Sequence, residues 1–271
     1  MPYLELSDGV PLFYEESGSG PAVILIHGWT MNSSFWQGNV PALAEAGNRV
    51  IAVDLRGHGN SGKTPDGHTL AQYARDIREL ASALGLTDVS LVGWSMGAGV
   101  ILSYVEQFGT DNVRSVAFVD QSPRFLSAPG WDFPLFGNYT NLDNNVFAET
   151  VRYDRPSVIK PFIASCFATR PDDAAIDAAY AETTKTPTDA ALDVWMNMVH
   201  QDYRDVVGKV TVPTMLAYGE KSAVFPGDVA GWLAERLPDA QVVPFPDSGH
   251  VPFAEEAERF NTELARFLAK H

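Results

Sequence analysis

The sequence predicts an α/β protein: a mostly parallel sheet of about eight strands flanked by helices, with a helical segment inserted after the sixth strand. Three observations carry this. Short, near-continuous Val/Ile/Leu runs recur along the chain, the pattern of parallel strands covered on both faces. Helix-period segments alternate with them, which puts helices on both sides of the sheet. The alternation stops between Asp120 and Val212 and then resumes.

In chain order, residues 3–6 and 12–16 flank the turn pair Asp8-Gly9 and read as an antiparallel hairpin. Buried strands are expected at 22–26, 50–53, 89–92 and 113–119, then at 214–218 and 241–245. Helices are expected over 35–46, 70–84, 96–108, 229–237 and 254–269. This assigns 1–120 and 210–271 to a core and 121–209 to a helical cap. The cap stretch carries many aromatics, among them Trp131, Phe133, Phe136, Tyr139, Phe147, Tyr153, Phe162, Phe167 and Trp195. An insertion at such a place serves as a lid or specificity element, and most of these rings are expected to form its own core.

Composition narrows the function classes. The 271 residues suit one large domain with an insertion, long enough to bury a full core. Nineteen basic against 34 acidic residues give a net charge of −15 with no Lys/Arg run, so neither nucleic acid nor an anionic membrane is an expected partner. The single cysteine, Cys166, excludes an internal disulfide and a thiolate metal cluster, and reads as a small buried hydrophobe. The start, Met1-Pro2-Tyr3-Leu4-Glu5, lacks the basic and apolar regions of a secretory signal. No apolar run approaches the roughly 20 residues that cross a bilayer. An acidic, soluble, cytoplasmic protein is expected.

Gly93-Trp94-Ser95-Met96-Gly97 lies between a strand and a helix. A sharp strand-to-helix turn crowds the backbone, and small residues two before and two after the serine let it close. The hydroxyl is then exposed at the strand's C-terminal end, where the helix dipole favours developing negative charge. The plainer reading, a helix N-cap serine, needs no flanking glycines. A serine hydroxyl is a poor nucleophile until a base takes its proton. Of His27, His58, His68, His200, His250 and His271, His250 sits in a turn between the last strand and the last helix, on the same rim as Ser95. His27, directly after a strand and before Gly28, suits a backbone-orienting role instead.

Together these residues resemble the α/β-hydrolase superfamily. The nucleophilic serine precedes a late histidine, His27-Gly28-Trp29 follows the third strand, and Asp54-Leu55-Arg56-Gly57-His58-Gly59-Asn60-Ser61 follows the fourth. The resemblance covers nearly the whole chain apart from the insertion, and is nearest to the branch of small esterases, lactonases, perhydrolases and carbon–carbon bond hydrolases. It implies an oxyanion hole from the backbone N–H groups of Trp29 and Met96, and no metal or cofactor. The family's acid normally follows the strand at 214–218 as Gly-x-x-Asp, but here the segment reads Gly219-Glu220-Lys221-Ser222. Some members carry the acid one strand earlier, and Asp120 at the end of the sixth strand is favoured over Glu220, with Asp228 and Asp247 behind. A loop or N-cap role for Asp120 stays open.

Gly57-His58-Gly59-Asn60-Ser61-Gly62-Lys63-Thr64 also satisfies the P-loop pattern. A phosphate loop needs a helix beginning at its end, whereas Pro65-Asp66-Gly67 follows as a turn. The expected activity is therefore hydrolysis of an ester or lactone of a small, largely apolar molecule, with Ser95, His250 and Asp120 as triad. Carbon–carbon bond hydrolysis, perhydrolysis, and non-catalytic ligand binding on the same scaffold stay open, as does homo-oligomer formation.

Overall fold

The computed structural model describes residues 3–271; Met1 and Pro2, the first residues of the stretch inspected for a leader, lie outside the described residues. Its sheet contains β1 (Tyr3–Glu5), β2 (Pro11–Ser17), β3 (Ala22–Ile26), β4 (Arg49–Val53), β5 (Val89–Trp94), β6 (Val113–Val119), β7 (Thr214–Gly219) and β8 (Ala240–Phe245). Their spatial order is β1-β2-β4-β3-β5-β6-β7-β8. Only the β1–β2 and β2–β4 pairs are antiparallel. Every residue of β3, β5 and β7 is buried, which is why these strands carry apolar residues without alternation. Because β3 to β8 are parallel, the loops leaving their C-terminal ends gather along one rim, the place where such sheets build sites.

The flanking helices are α1 (Val40–Glu45), α2 (Leu70–Ala83) and α3 (Met96–Phe108), then, after the insertion, α8 (Val229–Ala234), α9 (Pro252–Glu255) and α10 (Ala257–Lys270). The expected helix at 35–46 is instead a 3-10 turn, Ser33–Trp36, followed by α1. Gly38 weakens a helix interior, and Pro41 lacks the N–H an interior position needs, so the helix starts where Pro41 falls in its first turn. The helix expected at 254–269 is split at Glu256, whose backbone (φ −119°, ψ 49°) leaves the helical region. Its carboxylate turns back to accept from the Asp247 N–H (3.1 Å) and Ser248 hydroxyl (2.6 Å). The segment expected at 229–237 ends early, at Ala234.

Between β6 and β7 the chain forms a 3-10 turn and helices α4 (Asn141–Ser165), α5 (Asp173–Thr183), α6 (Thr188–Val199) and α7 (Arg204–Val207). A capping box of Thr140 and Asp143 starts α4. Pro156 and Pro161 lie inside it, and its backbone breaks at Asp154 (φ −147°, ψ 64°), since an interior proline removes a bond and kinks a helix. α4 packs on α5 and α6, whereas α7 packs on α3 of the core. No helix among the described residues is long and apolar enough to cross a membrane.

A buried ion pair fastens the loop after β4. Arg56 Nε and Nη2 donate to both oxygens of Asp76 on α2 (2.9 and 2.8 Å), and Nη1 reaches half-exposed Asp8 in the β1–β2 turn (2.6 Å). Removing one partner of a buried pair strands the other charge, at a cost of about 3–5 kcal/mol. Asp76→Ala is therefore expected to lower the urea midpoint strongly, and Asp8→Ala to cost no more than about 1 kcal/mol. Equal effects in urea melts would contradict this ranking.

Candidate active site

Ser95 is the single residue between β5 and α3, held at φ 52°, ψ −118°. Such a conformation costs a non-glycine residue about 1–3 kcal/mol. Although it stands at the helix N-cap position, its side chain caps nothing, which removes the plainer reading of this serine. The flanking glycines are required by contact: a Cβ on Gly93 would lie 2.4 Å from Gly97 C, and one on Gly97 would lie 2.3 Å from Ile26 O. The turn closes only because both lack one.

His250 is buried in the loop between β8 and α9, and its Nδ1 lies 2.7 Å from Asp120 Oδ1. A carboxylate accepts, so Nδ1 carries the proton and Nε2 keeps its lone pair. Three backbone links hold the imidazole's loop. The His250 N–H donates to Cys166 O at the end of α4 (2.7 Å), Trp94 Nε1 donates to His250 O (2.9 Å), and the Gly249 N–H donates to Glu255 Oε2 (2.7 Å). Ser95 and His250 line one cavity without a direct hydrogen bond between Oγ and Nε2; unliganded sites often hold this contact long and tighten it on binding.

Asp120, fully buried at the end of β6, accepts a second bond at Oδ1 from Ser222 Oγ (2.9 Å) and one at Oδ2 from the Gly219 N–H (3.2 Å). The serine that replaces the usual acid thus faces the carboxylate that meets the histidine. The other carboxylates considered lie elsewhere. Glu220 is exposed, with its backbone paired to β8; Asp228 is exposed ahead of α8; Asp247 is exposed and paired with Lys221 (2.8 Å).

Gly28, Trp29 and Met31 of the Gly28-Trp29-Thr30-Met31 turn line the same cavity as Ser95 and His250, with Thr30 at φ 59°. Among the described residues no protein acceptor takes the Trp29 N–H. The Met96 N–H opens α3, where the first turn of a helix has no internal partner. Trp29 Nε1 donates to Ala191 O on α6 (2.8 Å), and its ring packs 4.7 Å from Trp195, so the inserted helices clasp the residue bearing this free donor. His27 does not line the cavity that Ser95 and His250 share. Its Nδ1 pairs with Gly28 O (2.8 Å) and its Nε2 accepts the Leu55 N–H (3.0 Å), joining the two loops.

The cavity is small, about 20 Å³, room for about one water. Of the insertion aromatics, Phe162 and Trp195 line it, whereas Tyr153 is 81% exposed. Phe125, Leu135, Met198, Val224, Phe225 and Met31 also line it, none of them marked by sequence; apolar residues carry no signal separating a pocket wall from a core. Burial pushes the Cys166 thiol up, as suits an inert hydrophobe rather than a thiolate. The glycine-rich segment at 57–64 is not a phosphate cradle. Its Lys63 Nζ donates to the carbonyls of His58, Gly59 and Ser61 (2.8, 2.6 and 2.9 Å), and α2 starts only at Leu70.

Comparison with known proteins points to one fold family. The sequence model of the alpha/beta hydrolase fold family matches residues 21–257. A non-heme chloroperoxidase of Kitasatospora aureofaciens is 30% identical, over 100% of both chains. A bifunctional esterase/perhydrolase of Acinetobacter calcoaceticus is 26% identical over 99% of both. Among solved structures, an esterase from Exiguobacterium antarcticum superposes with a TM-score of 0.92 at 29% identity, over 98% of each chain.

Burial holds the His27 pKa down to about 4. Above its unfolded value near 6.5, both states are neutral and the stabilisation is complete. As pH falls toward 4 only the unfolded chain binds the proton, so stability is lost over that window by about 1.4 kcal/mol per pH unit from this group. Urea melts between pH 7 and 4.5 should show this slope, and His27→Gln should flatten it by about one proton. An unchanged slope in the variant would contradict the assignment.

Proposed function

This chain belongs to the alpha/beta hydrolase fold family, and from that premise we propose that it is a serine hydrolase acting on an ester or lactone of a small, largely apolar molecule. The observation that carries the reading is the His250–Asp120 bond at 2.7 Å, buried beside a serine held in a strained turn. Ser95 Oγ attacks the carbonyl carbon while His250 Nε2 takes its proton, and Asp120 holds the tautomer and stabilises the imidazolium. The carbonyl oxygen, now negative, accepts from the Trp29 and Met96 N–H groups; one such donor is worth about a hundredfold or more in rate. Collapse expels the alcohol, protonated by His250. Water, deprotonated by the same base, then releases the acid from Ser95. Residues 121–209 serve as the cap, whose grip on Trp29 and on the His250 N–H places two of its helices on the machinery itself.

Perhydrolysis is the second reading, favoured by similarity to a bifunctional esterase/perhydrolase. In it hydrogen peroxide replaces water in the second half-reaction, and a peracid leaves. The first half-reaction is shared, so ester turnover with and without peroxide separates the two by product.

Asp120→Asn is expected to keep the fold and lower ester turnover by about 10³–10⁴, while Glu220→Gln leaves it within about twofold. Because Ser222 Oγ and His250 Nδ1 both bond Asp120 Oδ1, the double variant Asp120→Asn with Ser222→Asp should regain part of the lost rate. Loss of turnover in Glu220→Gln, with Asp120→Asn fully active, would move the acid to the later strand.

A further inference from the structure

A second chamber lies against the catalytic cavity, at the seam between the core and the inserted helices. It encloses about 60 Å³ and is lined by Phe35, Val251 and Phe253 on one side and Ile163, Phe167 and Ala179 on the other. Met31, Trp94 and Cys166 line both spaces, so these three side chains are the wall between them. We propose that this chamber is the subsite for an unbranched alkyl group of the substrate, and that the Met31 side chain is the movable partition through which the group passes. The proposal deepens the serine-hydrolase reading and rests on it.

Three observations lead there. The catalytic cavity, at about 20 Å³, has no room for the hydrocarbon part of any but the smallest ester, and the chamber is the unfilled space across its wall. The chamber offers no charged side chain; the Trp94 indole N–H is already bonded to His250 O, and the other polar side-chain atoms are the weakly bonding sulfurs of Met31 and Cys166, so its occupant needs no hydrogen-bond partner. A saturated chain meets that condition. The wall also has one free member. Trp94 is fixed by its bond to His250 O, and Cys166 has only one atom beyond Cβ to turn, on a backbone held by its N–H to Phe162 O (3.1 Å) and by its O, which accepts the His250 N–H. Shifting either would drag the base with it. Met31 is anchored through its backbone N–H to Gly28 O (3.1 Å), but its unbranched side chain makes no hydrogen bond and turns about three bonds. A rotamer change there joins the two spaces and leaves His250 where it stands.

The alkyl group comes from either the acid or the alcohol half of the substrate. Two series tell them apart: p-nitrophenyl esters from acetate to hexanoate, and alkyl acetates from methyl to hexyl. In one series kcat/KM is expected to rise about fourfold per buried methylene before a cut-off. Ala179→Phe, which fills the chamber from α5, should lower the long-to-short kcat/KM ratio in that series by tenfold or more. Met31→Ala should move the cut-off to longer chains. Ratios unchanged in both series for both variants would overturn the proposal. A second readout does not depend on turnover. In Ser95→Ala protein titrated with hexan-1-ol, methyl NMR shifts are expected at Ile163, Ala179 and Met31, and those of Ile163 and Met31 should vanish when Ala179→Phe is added; shifts confined to other methyls, or none, would overturn it. Absence of ester turnover in the parent protein together with shifts at these three methyls would refute the hydrolase reading and leave the alkyl site standing.

Discussion

The site depends on one strained turn. Ser95 stands outside the conformations a non-glycine residue favours, between a strand and a helix whose approach leaves no room for a Cβ on Gly93, while Ile26 O of β3 leaves none for a Cβ on Gly97. A conformational cost of about 1–3 kcal/mol is sustained because β5 and the first ten residues of α3 are buried around it and fix both ends of the turn. The neighbouring Trp94 spends its indole N–H on the His250 carbonyl, so the same turn that presents the hydroxyl also fixes the loop of the imidazole.

The position of Asp120 follows from sheet topology. β6 and β7 are adjacent and parallel, with Val119 opposite Ala217, so the loops that leave them lie side by side. A carboxylate at the end of β6 therefore reaches the same imidazole edge as one a few residues beyond β7. The change leaves Ser222 where the usual aspartate stands, as a hydrogen-bond donor to Asp120 rather than an acid. The inserted helices are bound to the same group twice, through Cys166 O on the His250 N–H and through Ala191 O on the Trp29 indole. Any displacement of those helices acts directly on the His250 loop and on the residue carrying the free N–H.

Much of this was legible in the sequence because it was written in short-range terms. The apolar runs predict the buried strands, and Gly93-x-Ser95-x-Gly97 predicts the turn, since steric need fixes residue type locally. Asp120 was favoured over Glu220 only through the family resemblance, because Ser222 stands where the family's acid normally does and some members carry that acid one strand earlier. Other features were not legible. The helix expected at 35–46 gave way to Gly38 and Pro41, and the last helix divides at Glu256, where a tertiary bond to the β8–α9 loop outweighs helical propensity. Phe162 and Tyr153 read alike as insertion aromatics, yet one lines the cavity and the other faces solvent, because long-range packing decides which side of a kinked helix turns inward. Met31 carried no mark at all; its place is defined by two cavities that meet only in three dimensions.

The most direct measurement is a crystal structure of the protein after reaction with an alkyl fluorophosphonate. The account predicts phosphorus bonded to Ser95 Oγ, a phosphoryl oxygen about 3 Å from both the Trp29 and Met96 nitrogens, and His250 Nδ1 still on Asp120. An unlabelled Ser95, or an adduct whose phosphoryl oxygen points away from both N–H groups, would contradict it.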